Sequence, residues 1–76
     1  MRVNLGAHLS WYVPGRRSTL DIALPATTSL RRVAESLNLP LGEIALAVVN
    51  GERVALETAC VNDSDRVVLH PPIGAG

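Results

Sequence analysis

Hydrophobic and polar positions alternate near the start of the chain, between residues 3 and 10. The apolar side chains are spaced two residues apart, with polar or small residues between them: Val3, Leu5, Ala7 and Leu9. A period of two turns successive side chains to opposite faces of a β-strand. The segment therefore predicts a first strand with one buried face.

A second alternating segment follows a turn signal at Pro14-Gly15, with Arg16-Arg17 expected in a solvated loop. The side chains expected to face inward are Leu20, Ile22 and Leu24. Those expected to face outward are Thr19, Asp21 and Ala23. Together the two segments predict a β-hairpin at the start of the fold.

The spacing of apolar residues then changes to three and four, which is the period of a helix. The apolar positions are Leu30, Val33, Ala34 and Leu37. This spacing predicts an amphipathic helix of about three turns, with Val33 and Leu37 buried. Asn38 suits the left-handed position after a helix, and Pro40 prevents its continuation. Three hydroxyl residues precede the helix as candidate N-caps: Thr27, Thr28 and Ser29.

The rest of the chain predicts three more strands. An apolar run at 44–49 predicts a central strand, and Asn50-Gly51 is a strong hairpin signal that leads to a short strand at 52–56. A polar turn at 62–65 precedes a last strand at 66–70. Pro71-Pro72 ends that strand, because proline lacks the N–H that a ladder needs.

This order of elements predicts an α+β, β-grasp (ubiquitin-like) fold, with a mixed four- to five-stranded sheet packed on one helix. A ferredoxin-like fold needs a second helix, for which the sequence offers no candidate. We expect residues 1–70 to form the domain and residues 71–76 to form a flexible C-terminal tail. In particular, residues 74–76 should lack regular structure.

Composition narrows the classes of function. The 76 residues include seven arginines, no lysine and seven acidic residues, so the formal net charge is zero. Nucleic-acid binding usually needs a positive excess, and membrane spanning needs an apolar run of about 20 residues; neither is present. No signal-peptide core is recognisable either, so a cytoplasmic protein is expected. A chain this short leaves little room for a deep catalytic cavity.

Three segments together carry a family resemblance. They are Val48-Val49-Asn50-Gly51, the run from Asp63 to Leu69, and Pro71-Pro72-Ile73-Gly74-Ala75-Gly76. In this combination the chain resembles the MoaD/ThiS family of ubiquitin-like sulfur carriers. That family normally ends in two glycines, whereas the penultimate residue here is Ala75.

The resemblance implies a carrier, or a small non-catalytic subunit of a sulfur-transfer enzyme, rather than an enzyme. An E1-like adenylating enzyme would use ATP to activate the Gly76 carboxylate, which sulfur would convert to a thiocarboxylate. No cofactor would be bound by the chain itself. The residues implied to position the reacting carboxylate are Pro71, Pro72, Ile73, Gly74 and Ala75.

The acceptor of the sulfur stays open. The two prolines and the apolar residue of the tail favour molybdopterin (or tungstopterin) cofactor biosynthesis, with the large subunit of molybdopterin synthase as partner. A thiamine-type carrier that serves a thiazole synthase is the alternative. A noncovalent ubiquitin-like binding module that has lost activation is another, and protein conjugation is a third.

Other residues offer weaker candidates for chemistry. Cys60 could be a nucleophile or persulfide carrier, but no base is recognisable beside it, so a buried or loop cysteine is favoured. His8 and His70 lack a third metal ligand. Trp11 and Tyr12 could anchor a partner or pack over the sheet edge. Partners are expected on the exposed sheet face around the last strand.

Overall fold

A five-stranded mixed sheet forms the centre of the computed structural model, which describes residues 1–72. A separate two-stranded sheet and one α-helix complete the fold. The strands are β1 (Arg2–Leu5), β2 (Thr19–Asp21), β3 (Thr28–Ser29), β4 (Leu46–Val49), β5 (Glu52–Val54), β6 (Cys60–Val61) and β7 (Arg66–His70). The helix α1 spans Leu30–Ser36.

The last strand lies in the middle of the large sheet, whose order is β2-β1-β7-β4-β5. It runs parallel to β1, with Val3 opposite Val67, and antiparallel to β4, with Val48 opposite Val68. This pairing of the first and last strands confirms the predicted β-grasp arrangement. The strand β7 occupies the predicted residues 66–70.

The predicted first strand is too long. Strand β1 ends at Leu5, and residues Ala7–Tyr12 form a 3-10 helix. Ala7 has a φ of 45°, which turns the chain out of the sheet. Leu9 and Ser10 are adjacent and both buried. A strand with only one buried face does not give this pattern, because its successive side chains point to opposite faces. The connection to β2 is consequently a long one rather than a tight hairpin turn.

The helix is confirmed in place, but its seven residues make about two turns rather than the predicted three. Ser29 is its N-cap. The Ser29 Oγ accepts a hydrogen bond from the Arg32 N–H at 3.2 Å. Val33 is 3% exposed, as predicted, whereas Leu37 is only partly buried because it lies at the C-cap rather than inside the helix. Asn38 has a φ of 61°, the left-handed conformation expected after the helix.

The second hairpin follows the Asn50-Gly51 signal. Both turn residues have positive φ, 51° and 84°, and Val49 lies opposite Glu52. Positive φ at both positions is what a two-residue type I′ turn requires. The flanking strands are shorter than the predicted 44–49 and 52–56.

The two-stranded sheet was not predicted. Strands β3 and β6 pair antiparallel, with Ser29 opposite Cys60 and Thr28 opposite Val61. Each strand has two residues, too few for a period-two signal in the sequence. Cys60 is exposed on this small sheet, so the expectation of a buried or loop cysteine is wrong.

The core fills the space between α1 and one face of the large sheet. The inward side chains of β7, Val67 and Leu69, are fully buried, whereas Val68 faces the other way and is only partly buried. Around them pack the other buried apolar side chains, including Val3, Leu5, Leu9, Leu30, Val33, Ala34, Ala47 and Val61. The one α-helix within residues 1–72 contributes Leu30, Val33 and Ala34 to this core, so no α-helix covers the opposite face of the sheet.

In the described part of the chain, no helix has both the length and the apolar character needed to cross a membrane.

Candidate functional site

The end of β7 is held on both sides before the chain leaves the sheet. The Gly6 N–H donates to the Leu69 carbonyl at 2.8 Å, and the Ala45 N–H donates to the His70 carbonyl at 2.9 Å. Pro71 cannot extend the ladder because it has no N–H. Pro71 is buried and Pro72 is exposed, so the chain emerges at the centre of the sheet end.

A surface groove of about 820 Å³ lies at this exit. Its lining brings together segments that are distant in the sequence: Ala7, His8, Ala45, Leu46, Arg53, His70, Pro71 and Pro72. The lining combines apolar side chains with one arginine and two histidines. Such a surface can accept an apolar side chain and a nearby negative charge.

Two histidines frame the groove. His8 lies on the 3-10 helix, and its Nε2 is 3.2 Å from the Glu43 Oε2. The ring of His70 lies directly over Gly6. A Cβ at Gly6 would lie 3.1 Å from the His70 Cε1 and closer still to its Nδ1. Glycine at this position therefore allows the His70 ring to cover the end of β1.

An exposed aromatic cluster adjoins the groove through His8. Trp11 is 66% exposed and Tyr12 is 41% exposed. The His8 ring centroid lies 6.2 Å from that of Trp11 and 6.4 Å from that of Tyr12, both in edge-to-face geometry. The Arg16 guanidinium carbon is 5.6 Å from the Trp11 centroid, a cation–π distance. Both side chains are exposed and neither belongs to the hydrophobic core, which favours the predicted role as an anchor for a partner over packing across the sheet edge.

The solvent-facing side of the large sheet has an apolar centre with arginines around it. Val48 and Val68 lie opposite each other there, and both are partly buried. Arg53 lies opposite Val48 on β5, while Arg2 and Arg66 lie opposite each other on β1 and β7. This is the face on which partners were predicted to dock.

The far end of the sheet, where β7 begins, is organised by two aspartates. Asp65 accepts from the Asn50 side-chain amide and the Asn62 N–H, and in that order these bonds lower the pKa of its carboxyl group. Asp63 accepts from the Leu24 N–H at 2.9 Å. That bond, followed by the Met1 amino group, lowers the pKa of Asp63.

The structure places only part of the predicted tail. Pro71 and Pro72 line the groove, and four further predicted site residues lie outside the described residues: Ile73, Gly74, Ala75 and Gly76. Within residues 1–72 no cluster of three metal-ligating side chains is found. Cys60 does not line the groove.

Sequence analysis missed Arg53 and Leu46 as neighbours of the exit. A usable signal existed, since a two-residue turn at Asn50-Gly51 fixes which residues of β4 and β5 lie opposite each other. That register puts Arg53 on the same face as Val48. No pattern in the sequence placed His8 beside the groove, because its position depends on the 3-10 helix that replaces the end of the predicted first strand.

Comparisons with known proteins agree with this fold. A solution structure of a thiamine biosynthesis protein from Geobacter metallireducens has a TM-score of 0.53 and 23% sequence identity, covering 100% of this chain and 88% of that one. This likeness shows the fold, and the resemblance to ubiquitin-like carriers of the MoaD/ThiS type is confirmed at that level. No curated protein sequence matches the chain. The family described as Mut7-C ubiquitin matches residues 1–75, and the chain therefore belongs to that ubiquitin-like family.

Proposed function

We infer that the chain is a cytoplasmic sulfur carrier whose reacting group is the carboxylate of Gly76. The observation that carries this proposal is the position of β7. It is the central strand, it is hydrogen-bonded on both sides up to His70, and Pro71-Pro72 directs the chain out of the sheet beside an open groove. A rigid domain with an emerging chain end suits a carrier, because the domain supplies a handle and a partner enzyme supplies the chemistry.

The proposed chemistry has two steps. The Gly76 carboxylate attacks the α-phosphorus of ATP in an E1-like adenylating enzyme, and pyrophosphate leaves. Hydrosulfide then attacks the acyl carbon, the bond between that carbon and the AMP oxygen breaks, and a thiocarboxylate and AMP result. ATP is a substrate of the activating enzyme, so the carrier needs no bound cofactor. The domain contributes positioning, which alone can account for large rate effects.

Two sulfur-accepting pathways are proposed, and the molybdopterin type is the first choice. The Pro71-Pro72-Ile73 segment favours a molybdopterin-type pathway, in which the carrier would dock on the large subunit of molybdopterin synthase. The likeness to a thiamine biosynthesis protein supports the other acceptor, a thiazole synthase. Both proposals share the same activated terminus and differ only in the partner that receives the sulfur.

A noncovalent ubiquitin-like binding module is the second candidate function. The solvent-facing sheet side supports it, because Val48 and Val68 form an apolar centre beside Arg2, Arg53 and Arg66 without help from the tail. Apolar centres with polar rims are typical of protein interfaces. Such a module would bind partners equally well with or without Gly76.

Intact-mass measurement separates the two functions. The chain is incubated with its cognate E1-like adenylating enzyme, ATP and sulfide, and a carrier should gain about 16 Da as oxygen is replaced by sulfur in a positioned carboxylate. Deletion of Gly76 should abolish the gain. Gly42→Ala, at an exposed position with open space around it, is the control and should leave the gain unchanged. Absence of any adenylate or mass gain in the parent chain would refute the carrier and leave the binding module.

A further inference from the structure

The zero net charge of the chain conceals a separation of charge along the sheet. At the end where β7 finishes lie three arginines and one glutamate: Arg16, Arg17, Arg53 and Glu43. At the end where β7 begins lie three positive groups, Arg2, Arg66 and the Met1 amino group, and four acidic residues, Asp21, Glu52, Asp63 and Asp65. The exit end of the sheet is therefore locally positive.

The positive charge at the exit end coincides with the exposed aromatic residues. Arg16 lies over the Trp11 ring, and the Trp11 and Tyr12 rings contact His8, which lines the groove together with Arg53. We call this continuous area the exit surface; it comprises Trp11, Tyr12, His8, Arg16, Arg53 and His70. Trp, Tyr and Arg are the residue types that most often dominate binding energy at protein interfaces.

We propose that the exit surface is a docking site for an acidic peptide segment of a partner protein. Carboxylates of the segment would pair with Arg16 and Arg53. An apolar side chain between them would enter the groove, whose apolar lining residues are Ala7, Ala45, Leu46, Pro71 and Pro72. This interaction uses only described residues and stands independently of whether Gly76 is activated.

An acidic peptide fits this surface better than a nucleic acid does. The chain as a whole has no positive excess, whereas nucleic-acid affinity rises with the number of phosphates neutralised. An aliphatic side chain matches the apolar lining of the groove, and a nucleotide base has no comparable need for it.

Anisotropy of a labelled peptide tests the proposal. The probe is a short fluorescein-labelled peptide of glutamates around a central leucine, and the control probe has glutamine in place of every glutamate. At low ionic strength the acidic probe should bind and the control probe should not. Added salt should weaken binding, because exposed charges are screened. Trp11 is the only tryptophan, so its emission should change during the titration and locate the contact.

Charge-reversal variants make the test specific. Arg16→Glu and Arg53→Glu should each weaken binding of the acidic probe by at least about fivefold. Arg32→Glu, which reverses an exposed charge on α1, is the matched control and should bind like the parent. Thermal unfolding of each variant checks that the fold is kept. Equal effects of all three reversals, or equal binding of both probes, would overturn the proposal.

The same experiment can identify two other occupants of the exit surface. Tighter binding of a single-stranded oligonucleotide than of the acidic peptide would replace the peptide by a nucleic acid. The acidic far end of the sheet could also contact the exit surface of a second copy. Concentration-dependent self-association in sedimentation, abolished by Arg16→Glu and unaffected by Arg32→Glu, would identify that second copy as the occupant and overturn the peptide.

Discussion

Gly6 is the residue on which the close packing at the end of β1 depends. Its N–H belongs to the hydrogen bonds that hold β7, and the His70 ring covers its Cα so closely that no Cβ fits without movement. Glycine is needed at this position because the His70 ring approaches so closely. It is not needed for the backbone conformation, since any residue can adopt a φ of −77°. The neighbouring Ala7, with a φ of 45°, bears the conformational strain of the turn.

Gly6→Ala should destabilise the fold by about 1 kcal/mol, because the added methyl group displaces the His70 ring. Urea unfolding of the parent and the variant measures this change. The same substitution in a His70→Ala background should cost clearly less, since the obstructing ring is gone. Gly42→Ala is the control and should be neutral or stabilising, because its Cβ meets no neighbour. Equal costs of Gly6→Ala in both backgrounds would contradict the proposed contact.

Asp65 links stability to pH. Hydrogen bonds from the Asn50 side chain, and then from the Asn62 N–H, lower the pKa of Asp65 in the folded state. A lowered pKa in the folded state stabilises the fold above the unfolded value of about 3.9 and loses that contribution as pH falls towards the folded value. The stability of the parent chain should therefore decrease as the solution is acidified below about pH 4.

Denaturant unfolding at neutral and acidic pH measures this dependence. Asp65→Asn should lower stability at neutral pH and reduce the loss on acidification, because it removes one of the two carboxyl groups, Asp63 and Asp65, whose pKa is lowered in the folded state. Glu35→Gln removes one exposed carboxylate from α1 and serves as the charge-matched control. If Asp65→Asn retained the full pH dependence of the parent, the hydrogen bonds of Asp65 could not be its source.

Among the elements, those with strong local signals could be predicted from the sequence. The helix has a period and a cap, the second hairpin has Asn50-Gly51, and β7 is limited by a polar turn and two prolines. The 3-10 helix at Ala7–Tyr12 has no such signal, and its alternating residues imitate a strand. The groove could not be predicted, because it forms only when distant residues such as His8, Arg53 and Pro71 meet.

The helix N-terminus gives a prediction that distinguishes two of the three adjacent hydroxyl residues, Ser29 and Thr27. Ser29→Ala should cost about 1 kcal/mol, since its Oγ satisfies the otherwise unpaired N–H of Arg32. Thr27→Ala should change stability by less than about 0.5 kcal/mol, as is usual for exposed surface positions. Chemical denaturation of both variants measures the difference. A larger loss for Thr27→Ala than for Ser29→Ala would show that the helix is capped differently.

At the scale of the whole molecule, the positive charge lies at the same end of the sheet as the point where β7 ends and the chain leaves the sheet. The exit surface is locally positive and aromatic, and the chain emerges beside it at Pro72. A partner that binds this surface would therefore hold the region next to the emerging chain. At the far end, Asp65 and Asp63 accept hydrogen bonds from Asn50 and Leu24 and fix the turn that precedes β7.

The absence of lysine limits the products that can form if Gly76 is activated. An activated Gly76 could acylate a lysine side chain, but the chain has none, so it cannot join to its own side chains by isopeptide bonds. Exposed Cys60 could still accept the acyl group as a thioester. The purified chain is incubated with an adenylating enzyme and ATP and analysed by denaturing electrophoresis. Any multimers linked through a side chain should be cleaved by hydroxylamine, because hydroxylamine attacks thioesters and leaves amides intact. Arg32→Lys places one lysine at an exposed helix position and should allow hydroxylamine-resistant multimers if the activated terminus transfers to amines. Multimers of the lysine-free parent that resist hydroxylamine and map to a side-chain amide would contradict this prediction.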